Sequence, residues 1–123
     1  MKLVLKRRAA LAGAAVLMWC LAGCMSPDGM RRNKPVELRG QRPAVQVAAC
    51  AAGGWERESF AGSPSVTMRP TERGYTVLAR NEPLGNLVLV LDVDEAPPGS
   101  VSRMYSMGLI VGAYEQVVEL CQK

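Results

Sequence analysis

The sequence predicts a small α+β domain in which a helix, a four-stranded antiparallel meander and a second helix follow one another, with both helices on one sheet face. Three observations lead there. Apolar residues recur at helical spacing in Ala44 to Ala52 and again in Leu109 to Gln122. Between these segments, from Ser65 to Met107, the period falls to two, and turn residues separate the runs. Finally, Cys50 and Cys121 fall in the first and last helical segments, where a bridge would staple the two helices together.

The first element is not part of that domain. Lys2, Lys6, Arg7 and Arg8 form a basic head, and Ala9 to Leu21 follow as an uncharged apolar run. The run breaks at Gly23 to Pro27, short of the roughly 20 apolar residues that a membrane-spanning helix needs. It reads as an export signal, and it ends in Leu21-Ala22-Gly23-Cys24. This tetrapeptide resembles the lipobox of bacterial lipoprotein precursors, a leucine three positions before a cysteine with small residues between. The resemblance covers the leader alone. It implies a diacylglycerol on the Cys24 thiol, cleavage between Gly23 and Cys24, and a fatty acid such as palmitate on the new N-terminus. A thiol is the most nucleophilic ordinary side chain, and the small Ala22 and Gly23 leave the backbone open to a protease at the membrane face. The alternative is an ordinary Cys24 and cleavage by the general signal peptidase. Cys20 lacks the preceding pattern and leaves with the leader. Arg7-Arg8 is followed by Ala9-Ala10 without the bulky residue of a twin-arginine signal, so ordinary export is expected. Met25 is not the aspartate that commonly retains such lipoproteins in the inner membrane. The same resemblance therefore implies an outer-membrane anchor with the domain in the periplasm.

The expected organisation is a signal peptide over 1–23, a lipidated N-terminus and flexible tether over 24–42, and one domain over 43–123. Four of the 15 basic residues lie in the leader, so the exported chain carries 11 basic against 11 acidic side chains. No basic stripe interleaved with aromatics remains, and nucleic acid is not an expected partner. Removing the leader leaves 100 residues, enough for one small core. An oxidising compartment favours a Cys50–Cys121 disulfide, closing a loop of roughly 70 residues worth about 4 kcal/mol in the chain-entropy model. Two free thiols, or a soft metal site, are the alternatives. With no histidine in the chain, the further ligands of a closed zinc site are missing, and no metal or cofactor is expected.

Met25 to Arg42 contains Pro27, Gly29, Pro35 and Gly40 with few apolar residues, which predicts a solvated, basic linker. Its arginines and Lys34 would keep it in water or bring it near anionic head groups. Pro43 then opens a helix that stops at Gly53-Gly54, burying Ala44, Val47, Ala48 and Ala51. Ser65 to Arg69 and Tyr75 to Arg80 form a hairpin about Thr71-Glu72-Arg73-Gly74. Pro83 and Gly85 break the chain before a third, interior strand, Leu87 to Val93, with Leu87, Leu89, Leu91 and Val93 on one face. Pro97-Pro98-Gly99 makes the next turn, Ser100 to Met107 the fourth strand, and Leu109 to Gln122 the closing helix.

Little catalytic chemistry is supplied. A Ser-His-Asp triad is impossible without histidine, the exported chain has lysine only at Lys34 and Lys123, and Gly53-Gly54 and Gly108/Gly112 lack a phosphate-cradling pattern. Asp92, Asp94 and Glu95 form an acidic cluster without EF-hand spacing, expected to mark where a strand meets water. Trp55-Glu56-Arg57 reads as a recognition patch or as a tryptophan packed at the domain edge. With both helices on one face, Val88 and Val90 with Leu78 or Met104 would leave an uncovered apolar patch on the other. An accessory or scaffolding module docking an envelope protein partner is thus the leading expectation, and a displayed ligand-binding or enzyme-inhibitor module the alternative. An enzyme is not expected. The body of the chain resembles small uncharacterised lipoproteins of Gram-negative bacteria, which implies no activity.

Overall fold

A computed structural model describes residues 26–58, 65–81, 85–107 and 112–123. The leader, Gly23, Cys24 and Met25 lie outside these, as does the expected start of the last helix at 109–111. The described residues form an α+β fold. In chain order they give α1 (Pro27–Met30), β1 (Val36–Gly40), α2 (Ala44–Arg57), β2 (Ser65–Pro70), β3 (Gly74–Asn81), β4 (Asn86–Ala96), β5 (Gly99–Ser106) and α3 (Gly112–Gln122). The strands make one antiparallel sheet in the order β1-β5-β4-β3-β2.

The sheet has five strands where the sequence pattern suggested four, and the extra one comes from the expected tether. Val36 and Leu38 alternate with Glu37 and Arg39, a pattern too short to stand out between Pro35 and Gly40, yet enough to pair Val36 with Met104 and Leu38 with Ser102 on β5. Just before it, Ser26 caps a single helical turn, its hydroxyl accepting from the Gly29 N–H, and Met30 is carried into the interior. From Ser26 to Arg42 the chain is therefore part of the folded unit.

The helix-side core is built as the periodicities require. Ala44, Val47, Ala48, Ala51 and Trp55 of α2 and Tyr114, Val118 and Cys121 of α3 pack over Val77, Leu91, Val93 and Met104. Pro43 offers α2 no side-chain cap, and Glu95 supplies one instead: its carboxylate accepts from the Ala44 N–H at 2.8 Å, where a negative charge suits the helix N-terminus. Helix α2 does not stop at Gly53-Gly54 but runs through both to Arg57. The reason is packing, since a Cβ at Gly54 would run into Val117 Cγ1 of α3, whereas Gly53 faces open space. Cys50 and Cys121 are joined by a disulfide between these helices, with Cα atoms 5.7 Å apart.

On the opposite face lies a second, smaller cluster of Met30, Leu78, Leu87, Val90 and Tyr105. Leu87 belongs here rather than with Leu89, Leu91 and Val93, because the β3–β4 register shifts between Ala79 and Arg80 and turns the strand's start over.

Candidate functional site

The back face of the sheet, away from α2 and α3, divides into two rows that cross the strands. Leu78, Val90 and Tyr105 make an apolar row, with Leu78 opposite Val90 and Val90 opposite Tyr105. Alongside runs a polar row in which Thr76 faces Asp92, Asp92 faces Arg103 and Arg103 faces Glu37. Strand alternation produces this segregation. α1 lies over the apolar row with Met30 fully buried, and just beyond its last turn Arg31 reaches down onto the polar row.

Arg31 holds Asp92 bidentately, Nε to Oδ2 at 2.7 Å and Nη2 to Oδ1 at 2.9 Å, while Nη1 donates to Asp28 at 2.8 Å. The Thr76 hydroxyl donates to the same Asp92 Oδ1 at 2.7 Å. These bonds, chiefly those to Asp92, raise the Arg31 pKa further above its ordinary value against the opposing cost of partial burial. Arg103 Nη1 donates to Asp94 Oδ2 at 3.2 Å, and its Nε lies 3.9 Å from Glu37 Oε2. Along this row opens a groove of about 520 Å³. Its floor is Arg31, Thr76, Asp92, Asp94, Arg103 and Tyr105, and its rim is the β2–β3 turn, Thr71, Glu72 and Arg73. That turn is fixed by Thr71 N–H donating to the Gly74 carbonyl, Gly74 N–H donating to the Thr71 hydroxyl, and Glu95 N–H donating to the Arg73 carbonyl.

Tyr105 is 9% exposed and lines the groove, and among the described residues no hydrogen bond engages its hydroxyl. Burial, and next the nearby Asp92 charge, raise its pKa. Three arginines and three carboxylates line the groove, so its net charge is zero while hydrogen-bonding groups of both kinds crowd it.

Of the residues singled out from sequence, Cys50 and Cys121 are brought together. The acidic cluster is split by alternation, with Asp92 and Asp94 in the groove and Glu95 capping α2. Among the described residues no group of three or more His, Cys, Asp or Glu side chains is placed to hold a metal ion. Trp55 is not a surface patch. It is fully buried, donates from Nε1 to the Tyr114 carbonyl at 3.1 Å and meets the Tyr114 ring edge-on. The expected bare apolar patch is also absent among the described residues: Met104 and Val88 belong to the helix-side core, and Leu78 and Val90 lie in the cluster that Met30 completes. The sequence reading missed Arg31, Thr76, Arg103 and Tyr105. Three of them are traceable in hindsight as strand residues in phase with Asp92 and Leu78, but Arg31 reaches its place only because α1 folds onto the sheet. Comparisons with protein-family models, curated proteins and solved structures return no match.

Proposed function

We propose that the chain is a bacterial lipoprotein precursor whose leader, 1–23, is removed and whose Cys24 carries a diacylglycerol. The folded unit is then a non-enzymatic accessory binding module held at the outer membrane, facing the periplasm. The observation that carries this is Leu21-Ala22-Gly23-Cys24 at the end of a basic-headed apolar run. Two features of the fold support it. The Cys50–Cys121 disulfide suits an oxidising compartment, and Ser26, the α1 cap, stands two residues after Cys24. Two extended residues span about 7 Å, so the anchor holds this domain at the bilayer surface instead of on a long leash. No helix among the described residues is long and apolar enough to cross a membrane.

Met30 of α1 lies over the apolar row of the back face, which takes away the bare apolar patch on which a protein partner was expected to dock. The displayed ligand-binding module is favoured instead by one observation, the open, charge-balanced groove next to α1. The anchor is tested in cells fed a clickable palmitate analogue. Cys24→Ser is expected to abolish labelling and accumulate uncleaved precursor, and a labelled or normally processed Cys24→Ser protein overturns the lipoprotein reading.

A further inference from the structure

The charges of the groove floor are already paired with one another. Arg31 is committed to Asp92 and Arg103 to Asp94, so an anionic or cationic ligand has to break a pair or settle for the rim. Breaking a partly buried pair leaves one charge stranded, which costs more than an exposed contact returns. The rim charges of Glu72 and Arg73 also cancel, so a ligand that keeps both pairs intact and matches the zero net charge of the groove is uncharged and both donates and accepts. Each carboxylate has lone pairs to spare beyond those its arginine uses, and each guanidinium has further N–H groups. An alcohol hydroxyl suits such a site, since one oxygen donates to a carboxylate while accepting from a guanidinium.

Tyr105 supplies a hydroxyl that the groove leaves available to a ligand. Its hydroxyl opens onto the groove and no protein group among the described residues bonds it, while the Thr76 hydroxyl beside it already donates to Asp92 and accepts from Arg31. Its ring adds an apolar surface between charged neighbours, which fits a ligand with C–H faces as well as hydroxyls. Arg73, held at the rim through its own backbone carbonyl, makes no ion pair among the described residues and adds further N–H donors. A volume of about 520 Å³ lies within the range of small-ligand sites, and the groove is open along its length, which suits a segment of a chain.

We propose that this groove binds a neutral oligosaccharide, with Tyr105 and Arg73 as ligand contacts and the Arg31–Asp92 and Arg103–Asp94 pairs as a fixed hydrogen-bonding floor. The assignment rests on reading the domain as a binding module, and it does not depend on the lipid anchor.

The test uses the full chain as isolated from membranes in a polyoxyethylene detergent, avoiding sugar-based detergents that would occupy the groove and phosphocholine detergents that would confound the comparison with phosphate compounds. A glycan array of neutral and acidic oligosaccharides is screened, and the best neutral binder is titrated by calorimetry against inorganic phosphate and phosphoethanolamine. Saturable binding of a neutral oligosaccharide is expected, without binding of either phosphate compound. Tyr105→Phe and Arg73→Ala are each expected to weaken it about fivefold, the worth of one hydrogen bond, with the melting temperature at pH 7 unchanged. Glu119→Ala, on the far side in α3, is expected to bind as the parent does. No neutral glycan bound, preference for a phosphate compound, or undiminished affinity in both groove variants overturns the proposal. Palmitate labelling at Cys24 stands or falls separately, so loss of sugar binding with labelling intact refutes the groove assignment alone.

Discussion

Single side chains on the back face work by committing one group to several partners. Arg31 is the clearest case, because its planar fork engages Asp92 through two nitrogens and Asp28 through the third. A lysine could offer only a point charge there. Two tyrosines set a pH dependence. Burial raises the phenol pKa of Tyr105, with Asp92 adding to it, and burial raises that of Tyr114, with Glu58 adding to it. A pKa raised in the folded state means the fold prefers the protonated phenol. The associated stability is complete below the unfolded value of about 10 and is lost as pH climbs through the raised folded values. Melting temperature is therefore expected to fall above about pH 10, and Tyr105→Phe with Tyr114→Phe is expected to flatten that fall. Thermal melts from pH 7 to 11 in parallel with phenolate absorbance read this out directly, and an equally steep decline in the double variant would exclude the two phenols as its source.

Between elements, the packing of α2 on α3 depends on adjacent glycines with opposite roles. Gly54 lets α2 approach α3 at Val117, whereas Gly53 has only open space before it. Gly53→Ala should raise stability by about 0.5–1 kcal/mol, because a helix interior prefers alanine to glycine. Gly54→Ala should lower it by about 1–3 kcal/mol through overpacking. Adding Val117→Ala to the second variant should recover part of the loss, a coupling that urea unfolding of the two singles and the double measures. The same pair shows where periodicity is informative and where it is silent. Spacing of 3.6 and 2.0 located α2, α3 and β2 to β5, because each buries enough apolar residues to imprint its period. It placed the end of α2 too early, since a glycine used for packing looks like a glycine used as a stop. It put Leu87 on the wrong face because a bulge leaves no mark on alternation. α1, β1 and the groove were illegible for a common reason: their meaning comes from contacts between segments far apart in the chain, such as Arg31 with Asp92, 61 residues away.

For the molecule as a whole, the consequence concerns where the folding unit begins. Composition places the boundary at Pro43 because Met25 to Arg42 is polar and rich in breakers, yet that stretch closes the domain at two places. Met30 seals the small cluster of Leu78, Leu87, Val90 and Tyr105, and β1 covers the edge of β5 from Ser100 to Met104. Gly40 of β1 in turn lies so close to Gln122 at the end of α3 that a Cβ would collide with that residue's carbonyl oxygen. A chain beginning at Ser26 should therefore unfold in one sharp urea transition as a monomer. A chain beginning at Pro43 loses the Met30 side chain, worth about 2–5 kcal/mol when such a residue is truncated to alanine. It also leaves Asp92 without its arginine and bares a β5 edge that invites pairing between molecules. Those losses approach the whole stability of a domain this size, so the shorter chain should bind a hydrophobic dye, aggregate and lack a cooperative transition even with its disulfide formed. Matching transitions for the two chains would restore Met25 to Arg42 to the role of a leash and, with the anchor proposed above, detach the groove from the membrane surface, since only a structured α1 keeps Arg31, and the groove it helps to line, beside the end proposed to carry the lipid.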